Sequence, residues 1–242
     1  MRRLLFILVL AAGVTGLESN CAFAQNHSAS ESSPPSISGS AGSPSTNTSG
    51  EQTVDGIAAR IEDDIITDSE VNELSAFQEL VDGKPKSRDE IIKELADQWI
   101  VRGEAGLAAF PSPSSADVDR AYQQFVKQFS SEKDYKERCA ALGLTEAAVR
   151  RILAQQLFLS RFIDYRFRPA AQIDEGQIEA YYHDEFAPQL EAKKQPIPPL
   201  DDVEDTIREV LIQRAISERA AKWLDDTREH LKIDIVAQGA KS

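Results

Sequence analysis

Cysteine is nearly absent from this sequence. Only Cys21 and Cys139 occur among its 242 residues, and Cys21 lies just before Ala22, Phe23 and Ala24, an A-x-A pattern typical of signal-peptide cleavage. Cleavage there leaves Cys139 alone, so we expect no internal disulfide and a fold that depends on its core. No histidine lies near Cys139 in sequence to activate its thiol, which predicts a small buried hydrophobe.

Histidine is also scarce, and the common catalytic motifs are lacking. Only His183 and His230 lie beyond residue 50, and neither has the spacing of a metal site. The sequence contains no G-x-S-x-G, H-E-x-x-H, P-loop or G-x-G-x-x-G pattern. Acidic pairs such as Asp201-Asp202 fall at predicted helix starts or solvent-facing helix surfaces. We therefore expect a non-enzymatic protein with no catalytic, cofactor-binding or metal-binding residues and no cofactor.

Basic residues are fewer than acidic residues in this chain. The chain has 27 Lys and Arg against 40 Asp and Glu, which gives a formal net charge of -13. No cluster of basic residues offsets this charge. Such a field disfavours nucleic acid and anionic lipid headgroups, so we expect no nucleic-acid partner.

Long apolar runs are limited to one, near the N-terminus. Leu4 to Val14 follows Arg2 and Arg3 and is shorter than the roughly 20 apolar residues that span a bilayer. Residues 1–24 are therefore predicted to be a signal peptide for export to the periplasm, with no stable membrane insertion after cleavage. An uncleaved anchor is the alternative.

The remaining chain divides into three parts by composition. Residues 25–52 are rich in Ser, Pro and Gly and predict a disordered tether, because they cannot bury enough apolar surface to offset chain entropy. Residues 53–236 are long enough for one folded domain, and residues 237–242 are expected to form a flexible tail.

The folded part is predicted to open with a hairpin that lacks a third strand. Ile57, Ala59 and Ile61 alternate before a turn, and Thr67 with Glu70 forms a helix-capping box. A two-stranded hairpin is marginal alone in water. The alternating segment from Leu231 to Val236 is the expected partner.

Helical signals dominate between these ends. A capping box begins at Ser87, and further helices are predicted to start at Ser114 and at Asp174. A cap at Thr145 begins the most apolar segment, which we expect to be the central helix. Pro188 is predicted to end the helix that starts at Asp174, and the proline-rich residues 195–199 to form an extended spacer. A long helix is predicted from residue 201 to about residue 229. The fold class is therefore mainly α with a small β-sheet.

Several of these segments resemble a known family. VDGIAARIEDDIITDSEV at residues 54–71 is similar to the opening of SurA-type periplasmic chaperones. GLTEAAVRRIL at 143–153, RFRPA at 166–170 and WLDDTREHLKIDIV at 223–236 are similar to its later helices and closing strand. The resemblance implies a SurA-like helical chaperone module over residues 53–236, in which the N-terminal hairpin and the C-terminal strand pair.

The same resemblance implies a function. In that family a parvulin-type prolyl isomerase domain is inserted in the chaperone module, whereas here only residues 189–200 lie between Pro188 and Asp201, too few for a domain. We therefore expect a non-catalytic periplasmic chaperone whose partners are unfolded or outer-membrane-bound polypeptides and which assists outer-membrane protein folding or export. Aromatic side chains on the predicted helix faces are the client-binding candidates: Tyr122, Phe125, Phe129, Phe158, Phe162, Tyr181 and Tyr182.

Two alternatives stay open on the sequence. Family membership alone favours a peptidyl-prolyl cis-trans isomerase of the parvulin/SurA type, which would accelerate an exchange that takes tens of seconds uncatalysed. The other alternative is an envelope adaptor that binds one folded partner and uses the Ser-rich segment as its tether.

Overall fold

A computed structural model describes residues 55–236 of the chain. The predicted signal peptide, tether and tail, and residues 53–54 of the predicted domain, lie outside the described residues. The described part is mainly helical with a small three-stranded antiparallel sheet, which confirms the predicted fold class. Its strands are β1 (Ile57–Ile61), β2 (Asp64–Thr67) and β3 (Ile233–Ile235). Its helices are α1 (Asp68–Asp82), α2 (Arg88–Leu107), α3 (Ser115–Val126), α4 (Glu132–Ala141), α5 (Glu146–Phe167), α6 (Glu175–Tyr181), α7 (Ala187–Ala192) and α8 (Leu200–Arg228).

The sheet joins the two ends of the described chain. Its strand order is β2-β1-β3, and β3 pairs antiparallel with β1 so that Ile61 faces Ile233 and Ala59 faces Ile235. The amide of Val236 donates to the carbonyl oxygen of Ala58 at 2.9 Å, which extends this pairing by one residue. The predicted pairing of the hairpin with the C-terminal strand is therefore confirmed.

The helix starts follow the predicted caps. Capping boxes are present at Thr67, Ser87, Ser114 and Asp174, and the Thr145 side chain accepts a hydrogen bond from the amide of Ala148 at 3.1 Å. These side chains accept hydrogen bonds from backbone N–H groups in the first turn, which have no acceptor within the helix.

The helix that starts at Asp174 does not end at Pro188. It passes from α6 into one turn of π-helix over Tyr182–Phe186 and then into α7, which ends at Ala192. Pro188 occupies the first turn of α7. A proline inside a helix cannot donate to a carbonyl oxygen of the preceding turn and crowds that turn, and here the preceding turn is π-helical rather than α-helical. The predicted end at Pro188 is therefore wrong.

Three clusters of buried side chains make up most of the core within residues 55–236. One lies between the sheet and the first halves of α1 and α2, a second between α1, α3, α4 and α5, and a third between α2, α5 and α8. Helix α5 packs against α1, α2, α3 and α8, as expected of the most apolar segment. Helices α1, α2, α5 and α8 together contribute residues to all three clusters, and they meet at one place in the domain.

Candidate functional site

A cleft opens where α1, α2, α5 and α8 meet. Its volume is about 300 Å³, at the lower end of the range for ligand pockets in proteins. We call it the four-helix cleft. Six apolar side chains on the four helices form its floor: Phe77, Val81, Val101, Leu159, Ile163 and Leu224.

Small residues on α8 keep the cleft open. Ser217, Ala220 and Ala221 line it from this helix, and none has a side chain long enough to cross to the facing helices. Larger residues one turn away, such as Leu224, are buried against α2 and α5. The small residues of α8 therefore leave space between this helix and the helices that face it.

Charged side chains surround the apolar floor. Five acidic residues and three basic residues line the cleft: Asp82, Glu90, Glu94, Asp97, Asp225, Lys86, Lys93 and Arg228. The Lys86 ammonium lies 3.4 Å from the Glu94 carboxylate. An apolar floor with a charged border can bury apolar groups of a ligand while the border stays hydrated.

One end of the cleft is fixed by an ion pair between α8 and α2. Nε of Arg228 donates to Oδ1 of Asp97 at 2.5 Å, and its Nη2 donates to Asp225. Burial raises the pKa of the Asp97 carboxyl above its ordinary value, although Arg228 acts in the opposite direction. Arg228 therefore holds the last turn of α8 against α2 beside a partly desolvated carboxyl group.

None of the seven aromatic client-binding candidates lines this cleft. Tyr122 and Phe125 are buried in the cluster between α1, α3, α4 and α5, and half-buried Phe129 packs beside them, with its ring 5.3 Å from that of Phe125. Phe125 and Phe129 also line a smaller cavity of about 200 Å³. The structure thus brings these three candidates together, with two of them inside the core.

The other four candidates form two separate pairs. Phe162 is 1% exposed within the cluster of α2, α5 and α8, and half-buried Phe158 packs against that cluster. Tyr181 and Tyr182 are half-buried near the π-helical turn, where the Tyr182 hydroxyl donates to the carbonyl oxygen of Pro198 at 2.7 Å. No common surface contains all seven.

The cleft residues on α8 were missed by the sequence reasoning. Ser217 stands three residues before Ala220 and four before Ala221, so these small residues lie on one side of the helix. Small residues at helical spacing inside a long amphipathic helix are the only sequence signal of the cleft.

The described residues offer no metal site. Between residues 55 and 236, no group of three or more His, Cys, Asp or Glu side chains is arranged to hold a metal ion. None of the helices in the same range is long and apolar enough to cross a membrane.

Comparison with models of known protein families gives no match for this chain, and comparison with curated proteins gives none either.

Proposed function

We propose that this protein is a non-catalytic, exported chaperone that binds unfolded polypeptides in the periplasm and assists the folding or export of outer-membrane proteins. The observation that carries the proposal is the four-helix cleft, with its apolar floor and charged border. The resemblance to SurA-type chaperones, a prediction from the sequence, supplies the compartment and the class of client.

The size of the cleft fits weak and reversible binding. Burying one large apolar side chain contributes about 1.5–3 kcal/mol, whereas micromolar affinity requires about 8 kcal/mol. A cleft of about 300 Å³ therefore gives a single client contact that is short-lived unless neighbouring contacts add to it. Rapid release suits a protein that holds a client before it folds.

The charge of the chain supports the same role. A protein that binds unfolded chains through apolar surface must itself stay soluble, and a net charge of -13 opposes self-association. The charged border of the cleft also keeps the apolar surface in it from forming an extended patch.

Filling the cleft tests the proposal. Ala221 is half-buried and lines the cleft, so Ala221→Phe is expected to occupy the space that a client side chain would take. With the full chain present, light scattering of an unfolded outer-membrane β-barrel protein diluted from denaturant should show suppressed aggregation. The variant should require several-fold more protein for equal suppression.

Ala147→Phe is the matched control, because Ala147 is an exposed residue of α5 outside the lining of the cleft. It should suppress aggregation like the parent chain, and thermal unfolding should show that both variants are folded. The proposal fails if the parent chain has no effect at any ratio, or if Ala221→Phe acts as well as the parent.

A further inference from the structure

A second cavity adjoins the four-helix cleft. It has a volume of about 440 Å³ and is lined largely by polar side chains of α1, α2 and α5, among them Glu73 and Arg151, which form an ion pair. Gln98 of α2 and Gln156 of α5 line both spaces. The apolar cleft and the polar cavity therefore meet at glutamine side chains.

Four glutamines from three helices line these two spaces, and we call them the glutamine seam: Gln78 in the cleft, Gln155 in the cavity, and Gln98 and Gln156 in both. The amide nitrogen Nε2 of Gln155 donates to Oε1 of Gln98 at 2.7 Å. Gln98 is 8% exposed, and Gln78 is 6% exposed. Glutamine is mostly found at protein surfaces. The burial of Gln78 and Gln98 beside an apolar cleft is therefore unusual and suggests that their amide groups have a role.

Gln78 carries an unpaired acceptor. Its Oε1 is buried and has no hydrogen-bond partner among residues 55–236. Leaving a buried acceptor unpaired is unfavourable for folding, and a methionine or leucine of similar size would fill the same position without that cost. Gln78 also lines the cleft, so a rotation of its side chain would present this acceptor to a hydrogen-bond donor of a ligand.

The peptide group is the ligand chemistry that fits the seam. A glutamine amide offers one carbonyl acceptor and two N–H donors. The carbonyl oxygen can accept from a backbone N–H, and the N–H groups can donate to a backbone carbonyl oxygen. A hydrocarbon ligand in the cleft would leave Oε1 of Gln78 unpaired, whereas an extended peptide can donate its backbone N–H to it.

We infer that the glutamine seam binds backbone amides of an extended polypeptide whose apolar side chain lies in the four-helix cleft, with Oε1 of Gln78 accepting from a backbone N–H. This inference rests on the proposed function and adds the basis of recognition. The floor binds an apolar side chain of the client. The seam forms hydrogen bonds with the client backbone, which is the same in every polypeptide. Binding is therefore tolerant of client sequence.

Backbone methylation tests the inference directly. A short unstructured Ser/Thr peptide with a central phenylalanine is compared with the same peptide carrying N-methyl groups at and beside that phenylalanine. Calorimetric titration of the full chain should show about tenfold weaker binding of the methylated peptide, the effect expected from loss of a buried hydrogen bond.

Gln78→Met shows whether the seam causes that difference. It keeps the shape of the side chain and removes the unpaired acceptor, so the denaturation midpoint should stay the same or rise. The variant should bind both peptides equally, with the affinity that the parent chain has for the methylated one. Gln124→Met, at an exposed position of α3, is the control and should discriminate between the peptides as the parent does.

The outcomes distinguish failure of the glutamine seam from failure of the proposed chaperone function. Equal binding of both peptides by the parent chain, or discrimination retained in Gln78→Met, overturns the role of the seam and leaves the proposed function standing. Absence of binding to the unmethylated peptide also overturns the role of the seam, whereas absence of aggregation suppression by the parent chain overturns the proposed function and the seam with it.

Discussion

At the scale of single residues, Gly56 shows how closely the start of the domain is packed. A Cβ atom added at Gly56 would lie 2.0 Å from Oδ2 of Asp68. The Asp68 carboxylate also accepts from Nη2 of Arg88 at 2.5 Å, which links the first residues of α1 and α2. A side chain at position 56 must therefore displace the Asp68 carboxylate and disturb this ion pair.

Gly56→Ala is expected to lower the free energy of unfolding by up to about 1 kcal/mol, the contribution of a partly exposed ion pair, because the Asp68 carboxylate must turn away from Arg88. Gly103→Ala is the matched control, because Gly103 lies within α2 and an added Cβ there meets nothing within 4 Å. The control should gain about 0.5–1 kcal/mol from its higher helix propensity. Urea denaturation measures both, and equal effects in the two variants would contradict the packing at Gly56.

At the scale of elements, Asp117 links α3 to α5. It closes the capping box with Ser114, and its Oδ2 accepts from Nη1 of Arg161 at 3.0 Å. The Arg161 hydrogen bond, followed by that of Ser114, holds the pKa of the Asp117 carboxyl well below its ordinary value. Because the folded state binds this proton less tightly than the unfolded state, the stabilisation is present above about pH 4 and is lost as pH falls toward the folded pKa.

Asp117→Asn is therefore expected to lower the urea midpoint at pH 7 and to approach the parent chain as pH falls below about 4. Asp89→Asn, which removes one negative charge from the first turn of α2, controls for the change in net charge. A gap between parent and Asp117→Asn that keeps the same size from pH 7 to pH 3 would contradict the assigned linkage.

The same scale shows what the sequence could predict. Caps at Thr67 and Ser87 depend on residues within one turn, so the helix starts follow from local chemistry. The pairing of β3 with β1 follows from alternation at both ends and from the need of a hairpin for a third strand. Pro188 was misread because a proline usually ends an α-helix. Here the helix continues through Pro188 after a π-helical turn, which has no local sequence signal.

At the scale of the whole molecule, the cleft lies beyond prediction from local patterns. It depends on the sizes of side chains on α1, α2, α5 and α8, which are far apart in the sequence and come together only in the folded domain. Aromatic residues were the natural candidates for client binding, yet Tyr122, Phe125 and Phe162 are buried in the core. Aromatic side chains bury much apolar area and so dominate cores, whereas small residues on α8 leave the space.

The most direct test of the account is where an unfolded client touches the protein. A photo-crosslinking amino acid in place of exposed Lys93, at the border of the cleft, is compared with the same group in place of exposed Ala147 on α5. With an unfolded outer-membrane β-barrel client, we predict strong crosslinking from position 93, little from position 147, and a several-fold loss at position 93 when Ala221→Phe fills the cleft. Equal crosslinking from both positions, unaffected by Ala221→Phe, would contradict the assignment of the cleft as the client-binding site.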